Sequence, residues 1–321
     1  MATALDAQFG IVDESTFGTP VTVTRFYEFV SESLKMDQAR IESAALRSGA
    51  RVTRSDRWAL GKKTVGGDVT FELANKSFGL LFKHMFGGVA TAQPDSGGAP
   101  TVYKHTFTPG AYPTSMTAQV GRTDTGGTTR AFTYHGCRVE SWELGCSVDE
   151  IASLKVSLNG EDEDTSTALA TVSYPASLSL LTFVNGTLTI GGSTASVMSA
   201  SVAGQNGLAT DRYFLGSTLR KQQLEMGMRT YSGTFEAEFE SLTHYNRFVN
   251  GTEAEIVLNF QGGVISGAFN YEAKITANVR FDGETPNVTG PEIVGQTLPF
   301  KVVDNGTTSI KLEYTTTDVN P

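Results

Sequence analysis

The stretch KKTVGGDVTFEL (residues 62–73) returns later in the chain, altered, as MRTYSGTFEAEF (residues 228–239). Laid together without gaps, Thr64 meets Thr230, Gly67 meets Gly233 and Glu72 meets Glu238, while Phe71 and Leu73 meet Ala237 and Phe239. The same offset carries Arg54 onto Arg220, Gly61 onto Gly227 and Phe82 onto Phe248. Self-similarity at a fixed spacing limits the possible architectures more than any single motif, and a spacing of about half the chain is far longer than a solenoid or propeller unit. The repeated unit is therefore a domain. We expect two tandem copies, residues 1–165 and 166–321, each long enough for its own core.

Both copies read as strand followed by helix. In the first, Val69, Phe71 and Leu73 alternate with Asp68, Thr70 and Glu72; in the second, Phe235, Ala237 and Phe239 alternate with Thr234, Glu236 and Glu238. Period-two alternation of this kind marks a half-buried strand, here with an acidic outer face in each copy. Phe78, Leu81, Phe82 and Met85 then recur at helical spacing with Gly87 as a stop, and the counterpart SLTHYNRFVNG offers Ser241 as a cap and Gly251 as an end. Further strand patterns in SMTAQVGR and TTRAFTYHGCRVESWEL are echoed by EAEIVLNFQ and GAFNYEAKITANVRF, and LKVSLNGEDED by LPFKVVDNG. Residues 89–113, rich in Gly, Pro and Ala, read as a surface excursion of the first copy, and residues 160–175 as the joint between copies. Abundant glycine (34 residues) and Thr- and Val-rich runs point to an all-β chain with many turns.

Charge narrows the function. The formal net charge of −9 opposes general binding to nucleic acid, which depends on neutralising phosphates. Within this acidic chain, residues 37–63 form a basic island carrying Arg40, Arg47, Arg51, Arg54, Arg57, Lys62 and Lys63 against Asp37, Glu42 and Asp56. It reads either as a solvated loop or as an arm that docks on an acidic surface. No apolar run is long enough to span a membrane as a helix, and MATALDAQFGIVDE has neither the basic start nor the apolar centre of a secretion signal, so we expect folding where the chain is made. Cys137 and Cys146 flank one predicted strand that holds them too far apart to join, so both are expected reduced. Asn-x-Thr triplets begin at Asn185, Asn250, Asn287 and Asn305 and read as turns leading into strands.

Catalytic and ligand motifs give no candidate. The phosphate loop, dinucleotide fingerprint, serine elbow and His-Glu-x-x-His patterns do not occur. His84, His105, His135 and His244 are scattered; His135 and Cys137 share a strand face but lack further ligands for a structural zinc site. The acidic run at residues 161–164 lacks the alternating ligands and glycine of a calcium loop and reads as solvated linker. We expect no enzyme activity, no cofactor and no metal.

A duplicated β-domain with a charged arm suits assembly. Two similar domains occupying equivalent seats would let three chains close a ring of six units, with edge strands pairing into a continuous barrel. The opening GIVDESTFGTPVTVTRFYEF, the arm ending RVTRSDRWALGKKTVGGDVTFEL and the paired strand-helix units resemble the tail tube (major tail) proteins of long-tailed bacteriophages, in the duplicated two-domain form. The resemblance implies a mainly β fold: two tandem, similar β-sandwich or partial-barrel domains, each with one short α-helix and a long hairpin arm. It implies a structural virion protein of the tail tube, assembled in the bacterial host cytoplasm, whose stacked trimeric, pseudo-hexameric rings surround a lumen that conducts DNA during ejection. Partners implied are other copies of the chain, a tape measure protein, tail terminator and tail tip proteins, and DNA in transit, with no membrane.

On that resemblance the arms are residues 37–63 and 201–228, the second contributing Arg212, Arg220 and Lys221 with a weaker basic balance. The acidic faces, Asp68, Thr70 and Glu72 with Thr234, Glu236 and Glu238, become candidates for lining the lumen, where like charge keeps DNA from adhering. The rival is a carbohydrate-binding or adhesin-like β-sandwich of a tail tip or fibre. It needs an exposed aromatic platform, for which Trp58 in the arm and Trp142 in a core-like strand are poor candidates.

Overall fold

The computed structural model describes residues 4–283, 285–288, 291, 293–307 and 309–321. The fold is mainly β. The first half contains β1 (Gln8–Glu14), β2 (Arg25–Tyr27), β3 (Ser31–Glu32), β4 (Lys35–Glu42), β5 (Trp58–Glu72), α1 (Gly79–Phe86), β6 (Gly87–Ala92), β7 (Tyr103–Pro109), β8 (Ser115–Thr123), β9 (Thr129–Ser147), β10 (Ser153–Gly160) and β11 (Asp162–Asp164). The second contains β12 (Gly186–Ile190), β13 (Ser193–Ala195), β14 (Val197–Gln205), β15 (Thr230–Glu238), α2 (Leu242–Asn250), β16 (Ala254–Ser266), β17 (Phe269–Phe281), β18 (Gly295–Val302) and β19 (Ile310–Thr316).

The strands of the two halves pair in the same order. In the first, β2–β1–β8–β9–β10–β5–β4 are joined by antiparallel ladders, and in the second β13–β12–β16–β17–β18–β15–β14. β11 lies on β9 as β19 lies on β17. The registers agree as well: Thr70 faces Lys155 where Glu236 faces Thr297, and Asn159 faces Arg138 where Lys301 faces Arg280.

The helices form where expected, for the expected reasons. α1 stops at Gly87, which takes φ 90°, and α2 starts at Ser241, whose Oγ accepts from Thr243 N, and stops at the left-handed Gly251. Their surroundings differ. Seven of the eight α1 residues are buried, whereas α2 has none buried and leaves Leu242 and Val249 exposed. Phe82 of α1 packs edge-on to Phe107 and Tyr314, and Phe78 to Tyr27 and Phe71. Fully burying a ring of this size stabilises the fold by about 2–3 kcal/mol.

Three expectations need correction. Residues 89–113 are only partly a surface excursion: residues 89–98 are exposed, but β6 and β7 form a hairpin and β7 pairs with β19, tying an insertion of the first half to the last strand of the second. The alternation in YKHTFTP that buries His105 and Phe107 is the cause. Residues 161–164 are not a solvated linker either. The last three of them form β11, where Asp162 binds Lys63 at 2.8 Å, and Glu161 just before it lies 3.6 Å from His135. Asn250–Gly251 ends a helix instead of opening a strand, because the glycine supplies the left-handed cap.

Residues 165–182 lie along the first half. Gln119 brackets them through Ala168 O and Ala170 N, and Asn75 exchanges hydrogen bonds with Ser179. Leu181 is buried there.

Candidate assembly interface

Besides the β7–β19 ladder, a second ladder joins the sheets of the two halves. β14 runs antiparallel to the end of β9, from Ser199 opposite Ser147 to Gln205 opposite Ser141, so β5, β10, β9, β14, β15 and β18 form consecutive strands of one sheet. Its inner face is apolar: Val69, Phe71, Leu154, Val156, Trp142, Leu144, Val202, Phe235 and Leu298 are all buried. At the junction Phe86 stacks on Tyr231, with ring centroids 6.0 Å apart and planes 10° apart, and meets Trp142 at 5.2 Å. Arg229 Nη1 donates to Phe86 O while the guanidinium lies 3.6 Å from the centre of the Tyr112 ring.

The outer face of this sheet holds both acidic sets read from the sequence. Glu72, Glu236 and Glu238 are exposed; Asp68, Thr70 and Thr234 are half-buried. Cross-strand rows connect them: Glu72–Ser153–Gly145–Ser201–Thr234, then Thr70–Lys155–Glu143–Ala203–Ser232, then Asp68–Ser157–Ser141–Gln205. The two sets therefore share one surface, separated by three strands whose outward residues are small or hydroxyl-bearing apart from Lys155, Glu143 and Gln205. Over these rows and the neighbouring Glu236 and Glu238 positions the outward charged groups are Asp68, Glu72, Glu143, Glu236 and Glu238 against Lys155 and Lys301; Lys62, Lys63, Arg130, Arg138 and Glu140 lie farther along β5 and β9. Asp68 is partly neutralised by Lys155 at 2.8 Å; that bond and the one from Ser157 lower its pKa. Glu236 accepts from Ser199 Oγ at 2.9 Å. Sequence reading missed the serines of β9, β10 and β14 because a serine on an outer strand face carries no signal until its neighbours are known.

The two predicted arms take different courses. β4 and β5 pair from Lys35 opposite Gly66 to Glu42 opposite Trp58, and every residue from 39 to 60 is exposed, Leu46 and Val52 included. Arg40 lies over Trp58 and Arg54 binds Asp56 at 2.9 Å, whereas Arg47, Arg51 and Arg57 form no ion pair among the described residues. Lys62 and Lys63 at the base turn inward, to the Tyr213 ring and to Asp162.

The second arm is shorter than 201–228, since residues 201–205 belong to β14, and it folds back on the first half. Tyr213 Oη donates to Lys63 O, Lys63 N to Thr218 O, Gln223 Nε2 to Asn159 O and Arg138 Nη1 to Gln223 O. Arg220 is 3% exposed, with its guanidinium over Tyr213, and so does not face solvent as a docking group. Arg212 donates to Gln222 O, and Lys221 lies over Phe214. The segment closes against the first half because Tyr213 finds a part-buried backbone acceptor on β5 and Gln223 one on β10.

Among the described residues no group of three or more His, Cys, Asp or Glu is placed to hold a metal ion, and no helix is long and apolar enough to cross a membrane. Cys137 and Cys146 are free thiols, and burial pushes both pKa values up. The surfaces left open are a wide polar sheet face and an exposed basic arm. A search of curated proteins returned no match. A family model described as a phage tail tube protein matches residues 4–302, nearly the whole chain, and the chain belongs to that family.

Proposed function

We propose that this chain is a duplicated tail tube subunit, with copies at residues 1–165 and 166–321, three of which close a pseudo-sixfold ring that stacks into a tube. The matching pairing order of the two halves supports the duplication, since two quasi-equivalent units per chain make a three-chain ring the natural closed form. The observation that carries the conduit reading is the shared outer face of β5, β10, β9, β14, β15 and β18: small, hydroxyl-rich and net acidic across both copies. Turned inward, with Asp68, Thr70, Glu72, Thr234, Glu236 and Glu238 lining the lumen, it offers phosphates few cations and many repelling charges, so DNA slides without adhering.

The exposed arm with Arg40, Arg47, Arg51, Arg54 and Arg57 reaches the next ring, while the second arm braces the subunit internally. Before DNA passes, a tape measure protein fills the lumen. Tail tip and tail terminator proteins bound the tube at its ends, and assembly takes place in the host cytoplasm. A carbohydrate-binding sandwich is less well supported, because Trp142 is buried and Trp58 lies under Arg40.

Electron microscopy of the purified protein tests the reading. Rings or tubes with threefold symmetry and the β5 and β15 outer faces on the inner wall are expected; monomers under all conditions, or those faces on the outer wall, overturn it.

A further inference from the structure

The junction inside one chain supplies a template for the junction between chains. β9 and β17 correspond, with Arg138 and Val139 in the places of Arg280 and Phe281. Beyond Val139, β9 continues to Ser147, and that continuation carries β14. Beyond Phe281, β17 stops; Asp282, Gly283 and residues 285–288 belong to no strand. The counterpart of β14 is the β3–β4 segment: Lys35 and Asp37 face Gly66 and Thr64 where Ala203 and Gln205 face Ser232 and Thr230. Among the described residues β3 and β4 pair with β5 alone. Each chain thus ends in an unpaired strand edge on one flank and, on the other, a segment whose counterpart holds such an edge.

We infer that the edge formed by residues 31–37 receives the stretch after Phe281 of a second copy, in the register of β14 on β9. With the bulge that β9 makes at Glu140 repeated at Asp282, whose N–H donates to Pro299 O, the offsets of the two halves turn Ser201 opposite Gly145 into Ser33 opposite Asn287, and Ala203 opposite Glu143 into Lys35 opposite Thr285. Pro286 then faces Leu34, as Leu144 faces Val202.

That pairing suits the groups present. Proline has no N–H to donate, and Leu34 O already accepts from Tyr134 Oη at 2.9 Å and Arg122 Nη2 at 2.6 Å. Leu34 N is held by its own Glu32 carboxylate at 2.9 Å, a guard that a carbonyl of the incoming strand displaces. The helices agree independently. α1, beside the occupied continuation of β9, is buried, whereas α2, beside the end of β17 through His244 and Phe281, is at most half-buried and leaves Leu242 and Val249 exposed.

The inference rests on the ring reading, and one experiment separates the two. Ser33 N donates to Asp68 O, toward β5, so a Ser33–Asn287 pair across the junction is a non-hydrogen-bonded one with close Cα atoms, suited to a disulfide. In a Cys146→Ser background, rings of Ser33→Cys/Asn287→Cys oxidised and run on a denaturing, non-reducing gel should shift from one chain to two and three. Either single variant, and Ser33→Cys/Thr285→Cys, should stay at one chain. Rings that form but do not link, or that link through Thr285→Cys instead, overturn the junction and leave the ring standing; unaltered protein that forms no rings overturns the ring. If the double variant does not assemble under reducing conditions, amide exchange of unaltered rings decides: slowed exchange at Leu34 and Met36 relative to the monomer supports the junction, and unchanged exchange overturns it.

Discussion

Gly233 lies so close to Ser201 that no side chain fits between them: a Cβ there would overlap the Ser201 carbonyl oxygen and the Phe300 ring. Gly67 stands in the same relation to Ser33 O, and the pairing registers equate Gly67 with Gly233 and Ser33 with Ser201. The glycine repeated in the sequence thus shares one steric cause at both sites, the close approach of the neighbouring strand, and at Gly67 a φ of 154° adds a second. Gly67→Ala and Gly233→Ala should each destabilise the chain by about 1–3 kcal/mol in urea melts. Gly263→Ala, whose Cβ would meet nothing within 4 Å, should stay within about 0.5 kcal/mol.

Glu313 ties the β6–β7 hairpin to the second half. Its carboxylate reaches Lys104 of β7 at 2.5 Å, Lys274 of β17 at 3.3 Å and Lys311 at 3.4 Å. Partial burial alone would raise its pKa, but the Lys104 hydrogen bond and the three ammonium charges outweigh burial and hold it at about 2, below its ordinary 4.5. A depressed carboxylate stabilises the fold above its unfolded pKa and loses that contribution as the pH falls through the folded one. At pH 7 Glu313→Gln should therefore cost on the order of 1–2 kcal/mol after allowance for screening, and the gap to the unaltered chain should close between about pH 4.5 and pH 2. Thermal melts across that range measure it; a gap independent of pH would mean that packing, not charge, is what the glutamate supplies.

Much of this architecture could be read from residue order, and the reasons differ by element. β5, β15 and both helices were legible because alternation, a capping serine and stop glycines act locally. The β7–β19 ladder was not, since it joins Phe107 to Leu312 across most of the chain and neither strand names its partner. The shared polar face was half legible: the carboxylates of β5 and β15 stood out, but the serines between them acquire meaning only when β9, β10 and β14 lie side by side. The second arm misled because Arg220 looks like a surface charge in sequence, and only the Tyr213 and Gln223 hydrogen bonds turn its segment inward.

The exposed arm separates folding from stacking. Arg47, Arg51 and Arg54 are solvent-facing, and among the described residues the only ion pair they form is Arg54 with Asp56, itself exposed. Glutamate at all three should change stability by no more than about 0.5 kcal/mol per site, since exposed substitutions away from packed features do little. If the arm docks electrostatically on the next ring, this triple variant yields rings that do not lengthen into tubes under negative stain. Tubes of ordinary length would remove electrostatics from the stacking step.

Charge on the shared sheet face should decide whether DNA moves freely. Glu72 and Glu236 are exposed, and neither forms an ion pair among the described residues, so Glu72→Lys/Glu236→Lys should fold and assemble. Each lysine that meets a phosphate releases counterions and adds about −0.9 to the slope of log affinity against log salt for duplex DNA. Tubes assembled from this variant around a short duplex should retain it at low salt, release it as salt rises, and shield it from a nuclease too large to enter, whereas unaltered tubes should retain little. Retained DNA that the nuclease digests freely would place this face on the outside of the tube, and equal retention by both proteins would mean that these carboxylates never meet the duplex.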